Sequence, residues 1–154
     1  MKAKTLILTL ALWFAGAAVS FAQNPQMGTW KLNEAKSKIS AGSVKNSNVV
    51  YEAQGDDVKV TTDGIGNDGA PRHTEWTGKF DGKDYPLTGD PTGDMRAYKL
   101  INERTLKLSN KKDGKVTATG SIVVSADGKS RTLHLTSADR DGKKVTTTAV
   151  YDKQ

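Results

Sequence analysis

Residues 113–152 read DGKVTATGSIVVSADGKSRTLHLTSADRDGKKVTTTAVYD. The tripeptide Asp-Gly-Lys opens this stretch at Asp113-Gly114-Lys115 and returns at Asp127-Gly128-Lys129 and Asp141-Gly142-Lys143, about 14 residues apart each time. Asp-Gly suits a tight hairpin turn, where the central residues take positive φ, which Gly and Asp tolerate best. The intervals leave strands of about ten residues, or some 30 Å at about 3.3 Å per residue, the height of a small barrel wall. Their composition agrees. Val116, Ala118, Gly120, Ile122 and Val124 share one face, Leu133 and Leu135 another, and Val145, Thr147, Ala149 and Tyr151 a third. β-Branched residues dominate, as on half-buried pleated surfaces.

Working outward, a fourth Asp-Gly-Lys stands at Asp81-Gly82-Lys83. Earlier strand candidates are residues 29–32, 48–54, 58–63, 73–80, 96–102 and 105–109, with a short one over 83–87 that Pro86 ends or bends. The one helical candidate is a turn or two over 33–38, with Asn33 as N-cap. Residues 41–47 and 86–94 read as loops. The whole predicts an all-β chain of eight to ten antiparallel strands with at most one short helix. Closing the sheet into an up-and-down barrel hides its edges, although a two-sheet sandwich satisfies the same pattern.

The first 22 residues read as a cleaved signal peptide. Lys2 and Lys4 give a positive start, an apolar run follows from Thr5, and Ser20-Phe21-Ala22 places small residues for cleavage before Gln23. The apolar core is shorter than the roughly 20 residues of a spanning helix, and no cysteine follows the cleavage point for a lipid anchor. The expected product is one soluble domain over 23–154, periplasmic or secreted, without a later transmembrane segment and monomeric.

Cysteine is absent from the chain. An exported domain of roughly 130 residues must then stand on packing alone, without thiol chemistry or cysteine metal sites. The formal net charge is +6. Its lysines are scattered, with aspartates beside those at the turns, unlike the single basic face of a nucleic-acid binder, so no nucleic-acid partner is expected.

Gly28-Thr29-Trp30-Lys31-Leu32 at the first strand and Thr146 to Asp152 on the last resemble the lipocalin and fatty-acid-binding protein superfamily, the calycins, and small exported lipocalin-like proteins. The resemblance covers the two end strands and the hairpin rhythm. It implies a barrel whose last strand pairs with its first, with Gly28 and Trp30 in structural roles and Tyr151 turned inward. It also implies an Arg-x-Tyr pair on the last strand in the fatty-acid binders, but Ala149 stands where that arginine would be.

The function expected is therefore binding of a small, partly apolar molecule, with Trp76, Tyr98 and Tyr151 as candidate ligand contacts. The alternative is an envelope or secreted protein-interaction module, its core filled and its recognition carried by the 41–47 and 86–94 loops. Aromatic side chains in so polar a chain are more often simply its core. His73, Glu75 and His134 are the candidates for a metal or catalytic group, but ligand-spacing signatures are missing, and so are the nucleophile elbow, the phosphate-binding loop and the dinucleotide fingerprint. Asp63 to Gly69 carries Ile65 where a calcium loop needs an oxygen ligand. Asp90 and Asp94 read as turn formers. Neither a cofactor nor a metal is expected, and no enzyme activity.

Overall fold

Ten antiparallel strands follow one another round a closed barrel in the computed structural model, which describes residues 24–154. The strands are β1 (Gly28–Leu32), β2 (Lys45–Gln54), β3 (Asp57–Ile65), β4 (Pro71–Gly78), β5 (Tyr85–Thr88), β6 (Met95–Asn102), β7 (Thr105–Lys112), β8 (Lys115–Val124), β9 (Ser130–Ala138) and β10 (Lys144–Lys153). Each pairs with its sequence neighbours, and β1 pairs with β10 through Trp30–Lys153, Lys31–Asp152 and Leu32–Tyr151. Closure of one sheet excludes the sandwich. The expected signal peptide lies outside the described residues.

The turns follow from local chemistry. Asp113 and Gly114, at φ 49° and 75°, make a two-residue turn between β7 and β8 with both centres in the left-handed region. The Asp127-Gly128 and Asp141-Gly142 copies differ from expectation: they sit inside five-residue loops, where only the glycine has positive φ. In each loop an aspartate side chain takes over part of the turn, Asp127 accepting from Lys129 N and Asp139 from Asp141 N and Lys143 N. Asp81-Gly82 forms no hairpin. It belongs to the 79–84 connection, which continues the ladder against β6 through Gly82 N to Tyr98 O (2.8 Å) and Leu100 N to Phe80 O (3.0 Å).

Two further expectations are corrected. Pro86 lies within β5, opposite Met95, rather than ending the strand. β5 is only four residues long and Leu87 N bonds to Asp94 O, so the missing proline donor costs little of the ladder. Gly120 stands where β8 and β9 run close together. A Cβ there would lie 2.5 Å from His134 O, so the glycine serves the close approach of β8 to β9. The helical expectation reduces to a 3-10 turn over Glu34–Lys36, where Asn33 accepts from Lys36 N.

Alternation sorts the side chains as the pattern requires. Val58 and Val60, Leu106 and Leu108, Ile122 and Val124, and Ala149 and Tyr151 point inward and are buried. The interior is unevenly filled. At the end that holds the β2–β3 and β6–β7 turns, Gln26, Trp30, Val58, Leu106 and Val124 are all 0% exposed. Trp30 donates its indole N–H to Gln26 O (2.9 Å), and Gln26 Nε2 donates to Arg104 O (3.1 Å), which fastens the N-terminal segment across this end. The opposite end is open.

Candidate functional site

A cavity of about 520 Å³ runs from the open end into the barrel. Its rim comes from the 37–44 segment and the turns after β3, β5 and β9, represented by Ile39, Val44, Asn67, Asp90, Thr92 and Arg140. Its walls carry Val49, Leu108, Ile122, Leu133, Leu135 and Ala149. Tyr51, Tyr98 and Tyr151 stand deeper, and all three are 2% exposed.

Of the aromatic residues singled out from the sequence, Tyr98 and Tyr151 line this cavity. Tyr151 donates its hydroxyl to Asn46 O (3.1 Å), which pins the ring across the barrel. Trp76 lies behind Tyr98, edge to face at 4.8 Å between centroids, stacked with Phe80 and bonded through its indole N–H to Arg96 O (2.9 Å). It is the centre of an aromatic cluster and does not line the cavity. Gly28, at φ 105°, precedes Trp30 on β1, and Trp30 occupies the closed end.

His73 and Glu75 share the outer face of β4. The His73 Nδ1–H donates to Asp63 Oδ1 (2.6 Å), and Glu75 pairs with Lys59 (3.1 Å). These contacts, Asp63 first and Glu75 next, raise the His73 pKa above its ordinary value of 6.5. His134 is elsewhere, exposed on β9 and bonded to Thr148 Oγ1. Among the described residues no group of three His, Cys, Asp or Glu side chains is placed to hold a metal ion. Residues 66–70 form a hairpin loop in which Asp68 accepts from Ala70 N.

Sequence reasoning missed the charges inside. Arg72, Arg96 and Arg131 all turn into the barrel. Arg72 pairs with Asp90 at the rim, their side chains 7% and 2% exposed. Asp90 also accepts from Thr92 N (2.9 Å) and Oγ1 (2.8 Å), so it is a turn former and an ion-pair partner at once. Burial lowers the Arg72 pKa and Asp90 opposes that shift. Arg96 donates from Nε to Asn110 Oδ1 (2.7 Å) and from Nη1 to the Tyr98 hydroxyl (3.3 Å). Arg131, the cross-strand partner of Tyr151, lies against the faces of Tyr51, Trp30 and Tyr151 at 4.7, 4.8 and 5.1 Å. The signal was parity. Arg72, Arg96 and Arg131 stand two residues before inward-facing Thr74, Tyr98 and Leu133.

Among the described residues, those lining this cavity include no histidine. The arrangement offers a dead-ended chamber with apolar walls and a few fixed polar groups, the usual make-up of a small-molecule site.

No family model matches the chain, and no curated protein matches it. Among solved structures it is similar to a redesigned β barrel, mFAP1, bound to DFHBI, at 16% identity and a TM-score of 0.43, over 85% of this chain and 99% of that one.

Proposed function

We propose that the protein is an exported, monomeric binding protein that takes a small, partly apolar molecule into its barrel through the open end. The observation that carries this reading is the cavity of about 520 Å³, which falls within the roughly 300–1,000 Å³ of known small-molecule sites. Protein interiors are otherwise packed to crystal-like density, so a chamber of this size is space the fold keeps. Tyr98 and Tyr151 form part of the ligand's surroundings, and Trp76 holds Tyr98 in place from behind. The protein-interaction reading calls for a filled core, and the cavity favours the ligand over it.

Native mass spectrometry of the processed protein, purified gently from its producing cells, tests the reading. The expected result is a reproducible extra mass that disappears on denaturation. The Ala118→Leu variant, which fills the cavity from β8, should unfold as cooperatively as the parent and carry no extra mass. A clean apo mass for the parent, with no response to a panel of apolar probes, would overturn the proposal.

A further inference from the structure

The strands that enclose the cavity also present an outer wall, and one part of it is arranged in a way that folding does not require. Over β6 to β9 the residues that alternate with inward-facing Tyr98, Leu108, Ile122 and Leu133 point to solvent. Register sets them in two rows across the strands. One row runs Lys99, Lys107, Ser121 and His134, each the cross-strand partner of the next. The other runs Ala97, Ser109, Thr119 and Thr136 in the same way. Together they line a shallow hollow of about 510 Å³ on the outside of the barrel.

The β6–β7 hairpin sets Lys99 and Lys107 directly opposite each other. Like charges so placed destabilise a sheet, and a carboxylate beside them would relieve it. Among the described residues neither lysine takes part in an ion pair. The partner of Lys99 on its other side is Asp81. Its carboxylate accepts instead from Lys83 N (3.0 Å) and from the Tyr85 hydroxyl (2.9 Å). The residues lining the hollow include no aspartate or glutamate.

Beside the two ammonium groups the floor is made of hydroxyls, which both donate and accept hydrogen bonds. His134 adds a ring at the far end of its row, held to Thr148 Oγ1 (3.2 Å). No Phe, Tyr or Trp lines the hollow. It therefore offers neither a stacking platform for bases nor the aromatic anchor of a protein interface.

We infer that this wall is a second binding surface, for an acidic polysaccharide laid across the strands. Neighbouring strands lie about 4.8 Å apart, close to the length of one sugar unit in an extended chain. Successive sugars thus meet successive strands. Their acidic groups reach Lys99 and Lys107, and their hydroxyls exchange hydrogen bonds with Ser109, Thr119, Ser121 and Thr136. An ammonium is a point charge without the fork of a guanidinium, so carboxylated and sulfated chains share the site. The surface is separate from the cavity, and its occupation does not depend on a ligand inside the barrel.

Calorimetric titration of the purified protein at low salt tests this, with alginate oligosaccharides, dextran sulfate, neutral dextran, polyglutamate and a thymidine oligonucleotide as probes. At least one of the two acidic glycans should bind tenfold or more tightly than the other three probes. Raising the salt should weaken that binding, because exposed charges are screened. The double variant Lys99→Gln/Lys107→Gln should lose at least tenfold in affinity and unfold no earlier than the parent, since a repulsion has been removed. Lys129→Gln/Lys143→Gln removes the same charge from the β8–β9 and β9–β10 turns and should bind as the parent does. Thr119→Val/Thr136→Val should weaken binding while every charge is kept. Polyglutamate or the oligonucleotide binding as tightly as the acidic glycans would overturn the inference, in favour of an acidic protein segment or a nucleic acid. So would neutral dextran binding equally well, affinity that survives loss of both wall lysines, an equal loss in the turn variant, or failure of both acidic glycans to bind.

Discussion

The two ends of the barrel are built from the same strands and do opposite things. At the closed end Trp30, Val58, Leu106 and Val124 leave no exposed surface, and the side-chain N–H groups of Gln26 and Trp30 donate to backbone carbonyls. At the open end Arg96, Asn110 and Thr147 turn inward, Asn110 from the same strand as Leu106, and the space between them is not filled. A fold of this size can leave one end unpacked because the other is fully shielded from solvent. Tight packing and open space are thus divided along single strands, as between Leu106 and Asn110 on β7 and between Val124 and Ala118 on β8.

Substitutions can break or sharpen that division. The largest effect belongs to the closed end. Trp30→Ala should cost about 3–5 kcal/mol, the range for a large aromatic removed from a tight core. The matched change at the open end, Leu135→Ala, removes a half-buried side chain that already borders empty space, and it should cost about 1 kcal/mol. Denaturant unfolding of the two variants measures the contrast. Equal losses would mean that the two ends are packed alike.

Next in size is the ion pair at the rim. Asp90→Ala leaves the Arg72 guanidinium buried and unmatched, and it should cost about 3 kcal/mol. Adding Arg72→Met should restore most of that loss, because the pair stabilises the rim mainly by not being broken. A double variant as unstable as the single one would show that Asp90 works through its turn with Thr92 instead.

The smallest effect lies on the outer wall. The His73 pKa is raised in the folded state, so its contacts with Asp63 and Glu75 stabilise the fold fully below the ordinary value of 6.5. That contribution is lost as pH rises through the higher, folded value. An NMR titration of the His73 ring should show the raised midpoint, and Asp63→Asn should return it toward 6.5. A midpoint indifferent to Asp63→Asn would remove that carboxylate as the main cause. Cavity binding should be the same in both proteins.

Much of the architecture was legible because it depends on local rules. Asp113-Gly114 needs positive φ whatever surrounds it, and the alternation over 116–124 and 145–151 points the same way in any sheet with one buried face. The strands near Pro86 were harder to see, since its tolerance depends on β5 being short and on where Leu87 N finds its acceptor. For the cavity the difficulty was different. Arg96 and Arg131 read as ordinary polar residues, because a charge signals burial only through neighbours that the fold brings from other strands. Asn110 comes from β7 to Arg96, and the rings of Trp30, Tyr51 and Tyr151 come from β1, β2 and β10 to Arg131. Trp76 shows the same difficulty in reverse. As an aromatic side chain it was a candidate ligand contact, and it lies one layer behind the cavity wall.

The pairing of β1 with β10 also bears on how the chain reaches this form. Every other seam joins strands adjacent in sequence, so each can assemble from a short stretch of chain. The β1–β10 seam links Lys31 to Asp152 and must wait for the last strand. Until then β1 shows a bare edge, and every growing sheet ends in another, each able to recruit a foreign strand. A chaperone that shields β1 during that interval would protect the step at which the barrel is most exposed to aggregation.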